Sequence, residues 1–169
     1  TTLFRSTPSS IDEQWIAALM EGVFDCFNVL PDAEISIECN PGTLSREKLL
    51  AYKDAGINRL SIGLQSANND ELKLLGRIHT FEQFVTNYEV ARNVGFKNIN
   101  VDLMYGLPGQ SASQYMATVN KIIRLHPDHI SAYSLIVEKG TPFYEKYKFD
   151  MVRQEAGMGT EFLPNEDEL

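Results

Sequence analysis

Short runs of apolar residues alternate with longer amphipathic stretches along most of this chain. The short runs are typical of buried strands, which we predict at 34–38, 59–65, 98–105 and 129–137, with the stub of a first strand at Leu3–Phe4. In the longer stretches apolar residues recur at helical spacing, as Trp15, Ile16, Leu19 and Val23 do. Because helices separate the strands, we predict right-handed crossovers and a parallel sheet.

Capping residues mark the expected helix boundaries. The candidate N-caps are Ser9 or Ser10 for a helix from about Ile11, then Thr43 or Ser45, Thr80, and Ser111 or Ser113. Gly56, Gly76 and Gly95 lie where helices should end. The resulting order, β-α-β-α-β-α-α-β-α-β, fits either a barrel or an open doubly wound sheet. No G-x-G-x-x-G follows the first strand, which weakens a dinucleotide-binding interpretation. We therefore expect an α/β fold with an incomplete parallel barrel of about five strands.

Composition narrows the class of protein without identifying it. The chain has 169 residues, of which 43% are hydrophobic and 22% charged, as in an ordinary globular domain. A net charge of −8 argues against nucleic acid as a partner, because phosphate binding needs clustered Lys and Arg. No signal peptide or membrane-spanning run is recognisable, and Cys26 and Cys39 lack the spacing of a metal knuckle or redox pair. We expect a cytoplasmic location, a reducing compartment.

Polar residues cluster where the predicted strands end. Glu38, Gln65, Asp102 and Tyr133 all fall at or near the carboxyl ends of strands, which is where parallel α/β sheets bind ligands. A carboxylate inside such a sheet is costly unless it is paired or wet. These carboxylates suit ribose hydroxyls or an ammonium group. The alternative is that Glu38 and Asp102 cap the N-termini of the following helices or form ion pairs with Arg59 or Arg77.

Other polar residues also have two interpretations each. Arg77 either binds a carboxylate ligand with its planar guanidinium or lies on the surface. His79 is either an acid or base near neutral pH or a loop histidine packed on a helix. We expect His126 and His129 to be structural and Cys39 to be a small buried filler. Neither a Ser-His-Asp order nor a G-x-S-x-G elbow occurs, so a hydrolase has little support.

Six segments in order carry a family resemblance. They are Ser6–Ser9, Ile37–Gly42, Arg59–Ser66, Leu74–His79, Asp102–Gly109 and Pro127–Leu135, the last followed by Gly140–Tyr144. Together they resemble the oxygen-independent coproporphyrinogen III oxidase family of radical S-adenosylmethionine (SAM) proteins. The Gly-Leu-Pro-Gly-Gln run and the Ser-Ala-Tyr-Ser-Leu strand are more similar to the HemW-type heme-chaperone branch than to the decarboxylating dehydrogenase.

The resemblance implies a partial TIM-type (β/α)6 radical SAM barrel over 1–147, with 148–169 as a C-terminal extension. From the residues themselves we expect one more short helix and a loose acidic tail within 143–169. It implies SAM and a [4Fe–4S] cluster as cofactors. The implied SAM contacts are Thr7, Glu38, Gln65, Arg77, Asp102 and Ile136. Of these, Thr7 is expected at the methionine end, Arg77 at the SAM carboxylate and Ile136 near the adenine. Glu38 is expected at the ribose or amino group.

The chain departs from the family pattern at the cluster. The family holds its cluster through three cysteines spaced C-x-x-x-C-x-x-C, and this motif is absent here. Neither Cys26 nor Cys39 can replace it, because the cluster needs three thiolates close together. We therefore predict no metal ligand in this chain and no activity of the chain alone. Arg5 and Ser6 also stand where the family has glycines, and their side chains oppose a close backbone approach to the methionine.

The resemblance leaves two functions open. In the heme-chaperone branch, heme is bound and passed to a heme-receiving or membrane-associated protein partner. In the dehydrogenase branch, coproporphyrinogen III is converted to protoporphyrinogen IX by oxidative decarboxylation. A plain α/β scaffold without a ligand is a third interpretation. The sequence does not fix an oligomeric state, although the exposed edges of an open barrel favour association.

Overall fold

The computed structural model describes residues 7–164. Within this range a parallel sheet has four strands in chain order, β1 (Ser36–Cys39), β2 (Arg59–Gln65), β3 (Asn98–Tyr105) and β4 (His129–Ser134). The α-helices are α1 (Glu13–Cys26), α2 (Arg46–Asp54), α3 (Asn69–Leu74), α4 (Phe81–Val94), α5 (Ala112–Ile123) and α6 (Pro142–Glu155). Single 3₁₀ turns occur at Pro8–Ser10 and Pro41–Thr43. The strand stub predicted at Leu3–Phe4 and the departures at Arg5 and Ser6 lie outside the described residues.

Helices α2, α4 and α5 begin with side-chain caps that the sequence indicates, whereas α1 begins after Asp12 and is not capped by Ser9 or Ser10. Ser45, rather than Thr43, accepts a hydrogen bond from the Lys48 backbone N–H at 3.2 Å and begins α2. Thr80 and Ser111 each form a reciprocal capping box with the glutamine three residues later, which satisfies two backbone donors at each helix start. At the other end of α4, Gly95 adopts a φ of 101°, a conformation that glycine reaches without strain.

One face of the sheet is apolar and is covered by helices. The buried core on this side joins strand residues to side chains of α1, α2, α4 and α5; its fully buried members include Tyr52, Leu60, Ile62, Phe84, Ile99, Val101, Leu103 and Ile122. The opposite face carries Glu38, Ser61, Asn100, Asp102 and Ser131. Strands that follow one another in a single direction place all their crossover helices on one face. This arrangement confirms a partial barrel and excludes the doubly wound sheet.

The strand bounds differ from the prediction at both sheet edges. β1 begins at Ser36 rather than at residue 34, because the Ile35 backbone N–H donates to Asn58 Oδ1 at 2.9 Å instead of to a strand. β4 ends at Ser134 rather than at residue 137. The Leu135 N–H still donates to Tyr105 O at 2.9 Å, but the next residue, Ile136, is 78% exposed.

The C-terminal part of the chain contains a full helix where the sequence indicated one more short helix. α6 has 14 residues and is capped by Thr141, whose hydroxyl accepts from the Tyr144 backbone N–H at 3.1 Å. The predicted boundary between the barrel and the C-terminal extension, after residue 147, falls inside this helix. The boundary itself stays a prediction. Across residues 7–164, no helix is both long and apolar enough to traverse a membrane.

Candidate functional site

The polar face of the sheet gathers the predicted rim residues. Register pairs Glu38 with Ser61 and pairs Asp102 with both Gly63 and Ser131, so all of these positions share the face that helices leave open. Glu38 therefore lies one same-face position before Asp102, a step of about 6–7 Å along a strand. The two carboxylates are staggered on neighbouring levels of one surface.

Asp102 is the centre of a buried hydrogen-bond network. It is 7% exposed and accepts hydrogen bonds from Ser61 Oγ at 3.1 Å and from Asn100 Nδ2 at 2.7 Å. Asn100 Oδ1 in turn accepts from Ser131 Oγ at 3.1 Å and lies 2.6 Å from His129 Nδ1. These contacts hold Asp102 in place as an acceptor. Among residues 7–164 it caps no helix and forms no ion pair with an arginine, although its charge acts to raise the pKa of Arg77.

Glu38 is exposed on the same face and, among the described residues, does not form the ion pair with an arginine that was its alternative role. Arg59, a candidate partner, lies 3.8 Å from Glu34 instead. Within residues 7–164, Glu38 forms no ion pair and caps no helix. Its carboxylate is therefore available to a cationic or hydroxyl-bearing ligand.

Gln65 combines an unusual backbone with an unsatisfied polar atom. Its φ is 75°, and the pairing between β2 and β3 shifts register next to it. The side chain is 5% exposed, yet its Oε1 has no hydrogen-bond partner in the described chain. It folds back towards Gly63, where an added Cβ would lie 3.1 Å from Gln65 Nε2. A strained residue with a buried unpaired acceptor is typical of a ligand contact.

Arg77 brings a positive charge to this surface. Gly76, at a φ of 68°, ends the turn after α3, and the Arg77 N–H donates to Leu72 O at 2.9 Å. Burial lowers the pKa of the half-buried Arg77 guanidinium, while the charges of Tyr133 and Asp102 act in the opposite direction. Among residues 7–164 no carboxylate forms an ion pair with it. The guanidinium is thus placed to receive an anionic ligand group.

The pKa of Tyr133 is shifted by several of the predicted site residues. Burial raises the pKa of its phenol most, and Asp102 raises it further. The Gln65 side chain lowers this pKa by hydrogen bonding, Glu38 raises it, and Arg77 lowers it. Electrostatic influence falls with distance. All four side chains therefore lie within electrostatic range of the Tyr133 hydroxyl.

Thr7 and Ile136 lie at the margins of this site. Thr7 precedes the turn Pro8–Ser10, where Ser9 Oγ accepts from the Asn40 N–H at 2.9 Å, just beyond the end of β1. Ile136 instead lines a cleft of 390 Å³ together with Gly106, Leu135, Val137, Met151, Gln154, Glu155, Leu163 and Pro164. The structure thus brings Glu38, Gln65, Arg77 and Asp102 together and places Ile136 in an adjoining cleft.

The remaining candidates have structural surroundings. His79 is 3% exposed with Nε2 3.3 Å from Leu64 O, and burial lowers its pKa, which favours the neutral, packed form. Cys39 is 2% exposed, and burial raises its pKa to about 12, as expected for an inert filler. Cys26 is exposed and unpaired.

No metal centre is formed by the part of the chain that the structure describes. Residues 7–164 contain no group of three His, Cys, Asp or Glu side chains that could hold a metal ion. A [4Fe–4S] cluster needs three neighbouring thiolates. These residues therefore do not fit a cluster, whereas the acceptors and the guanidinium at the rim fit SAM.

Sequence reasoning missed part of the site. Ser61 and Asn100 were not singled out, although the alternation of polar and apolar positions through Asn98, Asn100 and Asp102 is a signal of an inward polar face. Glu71, a buried residue of α3 that is not part of this site, was also not singled out. No sequence pattern marks Glu71, because its role depends on contacts with distant segments.

A one-sided parallel sheet with a polar face and open acceptors at its carboxyl ends defines a barrel-type α/β protein with a ligand site at the rim. The chain's residues 5–122 match the family model of the Radical SAM superfamily. The chain belongs to the radical SAM superfamily, and membership implies SAM and a [4Fe–4S] cluster as cofactors.

Known relatives agree with the resemblance seen in the sequence. The heme chaperone HemW of Bacillus subtilis (strain 168) is 42% identical over 139 residues, which cover 82% of this chain and 37% of HemW. HemW of Escherichia coli (strain K12) is 39% identical over 137 residues, covering 81% and 36%. The radical SAM enzyme coproporphyrinogen III oxidase (HemN) of E. coli superposes with a TM-score of 0.72 at 26% identity, over 96% of this chain and 42% of HemN. The chain spans less than half the length of each of these relatives.

Proposed function

We propose that the rim site binds SAM. The observation that carries the proposal is the buried, unpartnered Oε1 of Gln65. It lies on the same surface as the unpaired Arg77 guanidinium and the hydrogen-bonded Asp102 carboxylate. Arg77 would bind the SAM carboxylate, and Glu38 the amino group or a ribose hydroxyl. Gln65 and Asp102 would accept from the remaining hydroxyl or ammonium donors.

The adenine would extend from this surface towards the cleft that holds Ile136. Gly106 lines that cleft at the end of β3 and presents backbone without a side chain. Thr7, beside the end of β1, would lie at the methionine end. When bound with its cluster, SAM supplies radical chemistry; the residues of this chain bind it, orient it and neutralise its carboxylate.

The longer protein to which such a barrel belongs would be a heme chaperone. Support comes from the HemW relatives, which are 42% and 39% identical across four fifths of this chain. Heme would be its cargo, passed to a heme-receiving or membrane-associated protein partner. The exposed, unpaired thiol of Cys26 supports a reducing compartment, hence the cytoplasm.

A second candidate is the oxidative decarboxylation of coproporphyrinogen III. The superposition with HemN over 96% of this chain favours it. The HemW relatives are 42% and 39% identical to this chain and HemN is 26% identical, and for that reason we place the heme chaperone ahead of the oxidative decarboxylation.

Isothermal titration with SAM tests the proposed site. Asp102→Asn and Glu38→Gln should each weaken SAM binding by roughly tenfold, because each loses a charge-assisted hydrogen bond. Glu34→Gln is the matched control: it removes an exposed carboxylate two residues before β1 and should leave the affinity unchanged. Equal SAM affinities for all three variants and the wild type would contradict the proposal.

Heme titration of the protein separates the two whole-protein functions. Uptake of one heme, in the presence of excess albumin as a competitor, with no loss of coproporphyrinogen III under reducing anaerobic conditions, supports the chaperone. Conversion of coproporphyrinogen III supports the second candidate and removes the first. Neither uptake nor conversion would reject both.

A further inference from the structure

Glu71 is a buried carboxylate that the site described above does not use. It lies in α3 and is 8% exposed. Within residues 7–164 it forms no ion pair with any lysine, arginine or histidine. Burying a carboxylate without a cation is costly unless strong hydrogen bonds compensate. The hydrogen-bond donors around Glu71 therefore have to compensate for the burial of its carboxylate.

Two side chains donate hydrogen bonds to the same oxygen of the Glu71 carboxylate. Ser66 Oγ donates to Glu71 Oε2, and Gln110 Nε2 donates to the same atom at 3.0 Å. With its proton directed at Glu71, Ser66 Oγ accepts from the Asn68 N–H at 3.0 Å. The carboxylate thus orders two donors that come from separate parts of the chain.

These two donors belong to the segments that form the rim. Ser66 directly follows Gln65, the residue with the unpartnered acceptor. Gln110 closes the loop after β3, since its N–H donates to Leu107 O at 2.9 Å and its Oε1 faces the Leu107 N–H at 3.5 Å. That loop begins at Gly106, which lines the cleft beside Ile136. One carboxylate oxygen therefore links the ends of β2 and β3.

We propose that Glu71 is a positioning residue of the nucleoside site, which fixes the loop 106–110 relative to Gln65 before a ligand arrives. The inference rests on the proposed SAM function and adds a residue that does not itself touch the ligand. A preorganised loop loses less conformational entropy on binding, so the link raises affinity without a direct contact. Removing the acceptor leaves two donors unpaired in a buried position and frees both segments.

The test is a double-mutant cycle on SAM affinity, measured by titration. Glu71→Leu and Gln110→Leu should each weaken SAM binding roughly tenfold, and the double variant should bind no more weakly than either single variant, because both break one link. Glu71→Gln keeps an acceptor oxygen in place and should restore binding to within about threefold of the wild type.

Thr118→Val is the matched control for a structural effect. Thr118 is 3% exposed, and its hydroxyl accepts from the Ala67 N–H at 3.3 Å and lies 3.4 Å from Ser66 Oγ. Among residues 7–164 its hydroxyl therefore bonds only to the segment that follows β2. This variant should lower the melting temperature and leave SAM affinity within about twofold. If Glu71→Leu behaves like Thr118→Val, or if the two leucine variants have additive effects, the inference is overturned.

Hydrogen exchange separates this inference from the proposed function. Without any SAM present, Glu71→Leu should speed exchange at Leu107 and Gln110 together with Asn68, whereas Thr118→Val should affect only the β2 side. Unchanged exchange at Leu107 and Gln110 would refute the positioning role. A wild type that fails to bind SAM would refute the proposed function instead, and the exchange result would still decide whether Glu71 links the two segments.

Discussion

Two hydrogen-bonded carboxylates, Asp102 in β3 and Asp150 in α6, each order the residues around them. Within residues 7–164, Asp102 is held by two neutral donors, Ser61 and Asn100, and forms no ion pair with a cation. The orientation of the Asn100 amide follows from its oxygen, which faces Ser131 and His129. The polar face is therefore ordered before a ligand binds, at the cost of burying several polar groups that all need partners.

This network predicts a sharp effect at Asn100. Asn100→Asp replaces the donor 2.7 Å from Asp102 with a second carboxylate and should reduce the free energy of unfolding by at least about 2 kcal/mol at pH 7. Asn98→Asp is the control, since it lies two residues earlier in an open polar cleft beside Arg59 and Lys97. Its effect should stay within about 0.5 kcal/mol in urea denaturation. Equal losses in both variants would refute the network.

Asp150 anchors the segment that follows α6. Its carboxylate accepts from the backbone N–H groups of Glu161 at 3.1 Å, Phe162 at 2.6 Å and Leu163 at 2.9 Å. Burial raises the pKa of Asp150, but these three backbone bonds outweigh burial and lower it overall. A carboxyl whose folded pKa is lowered stabilises above its unfolded pKa, about 4, and this stabilisation is lost as pH falls through the folded value.

We therefore predict an acid-dependent release of the segment after α6. Amide exchange at Phe162 and Leu163, corrected for intrinsic rates, should be slow above about pH 4 and accelerate below it. Asp150→Asn should exchange quickly at every pH, because its amide turns a donor towards backbone donors. Glu145→Gln, an exposed change in the same helix, should behave as wild type. Slow exchange in Asp150→Asn would contradict this account.

At the scale of elements, the sequence predicted the centre of the sheet better than its edges. β2 and β3 occupy the predicted ranges, because both are flanked by strands and backed by a helix layer that rewards apolar side chains. Strands β1 and β4 are shorter than their apolar patterns. Among residues 7–164 each of them has a paired strand on one side only, so apolar residues there have no second strand to pair with. The length of α6 was missed because its polar sequence has a weak apolar stripe.

Two glycines should respond oppositely to alanine. Gly95 ends α4 with a φ of 101°, and an added Cβ would meet Lys53 Nζ, which donates to Val94 O at 2.8 Å. Gly95→Ala should lower the free energy of unfolding by about 1–2 kcal/mol. Gly22 lies inside α1 with nothing within 4 Å of an added Cβ, so Gly22→Ala should raise it by about 0.5–1 kcal/mol. Thermal unfolding of both variants checks the signs; a shared sign would count against the capping role of Gly95.

At the scale of the whole molecule, one-directional strand order leaves one polar face of the sheet uncovered. All crossover helices fall on one side, so the other side is left for a ligand. The sequence could indicate Glu38, Gln65 and Asp102, because strand ends can be located from apolar runs. It could not reveal the unpartnered Gln65 oxygen or the Glu71 link, since both depend on how segments far apart in sequence pack together.

The most direct test of the central claim is NMR of side-chain nitrogens during SAM titration. The amide group of Gln65 and the guanidinium Nε–H of Arg77 should shift together and saturate with one affinity, while the capping-box amide of Gln83 stays fixed. Saturable shifts at Asn98 and His129, at the opposite ends of the strands, with Gln65 and Arg77 unmoved, would contradict a SAM site at this rim.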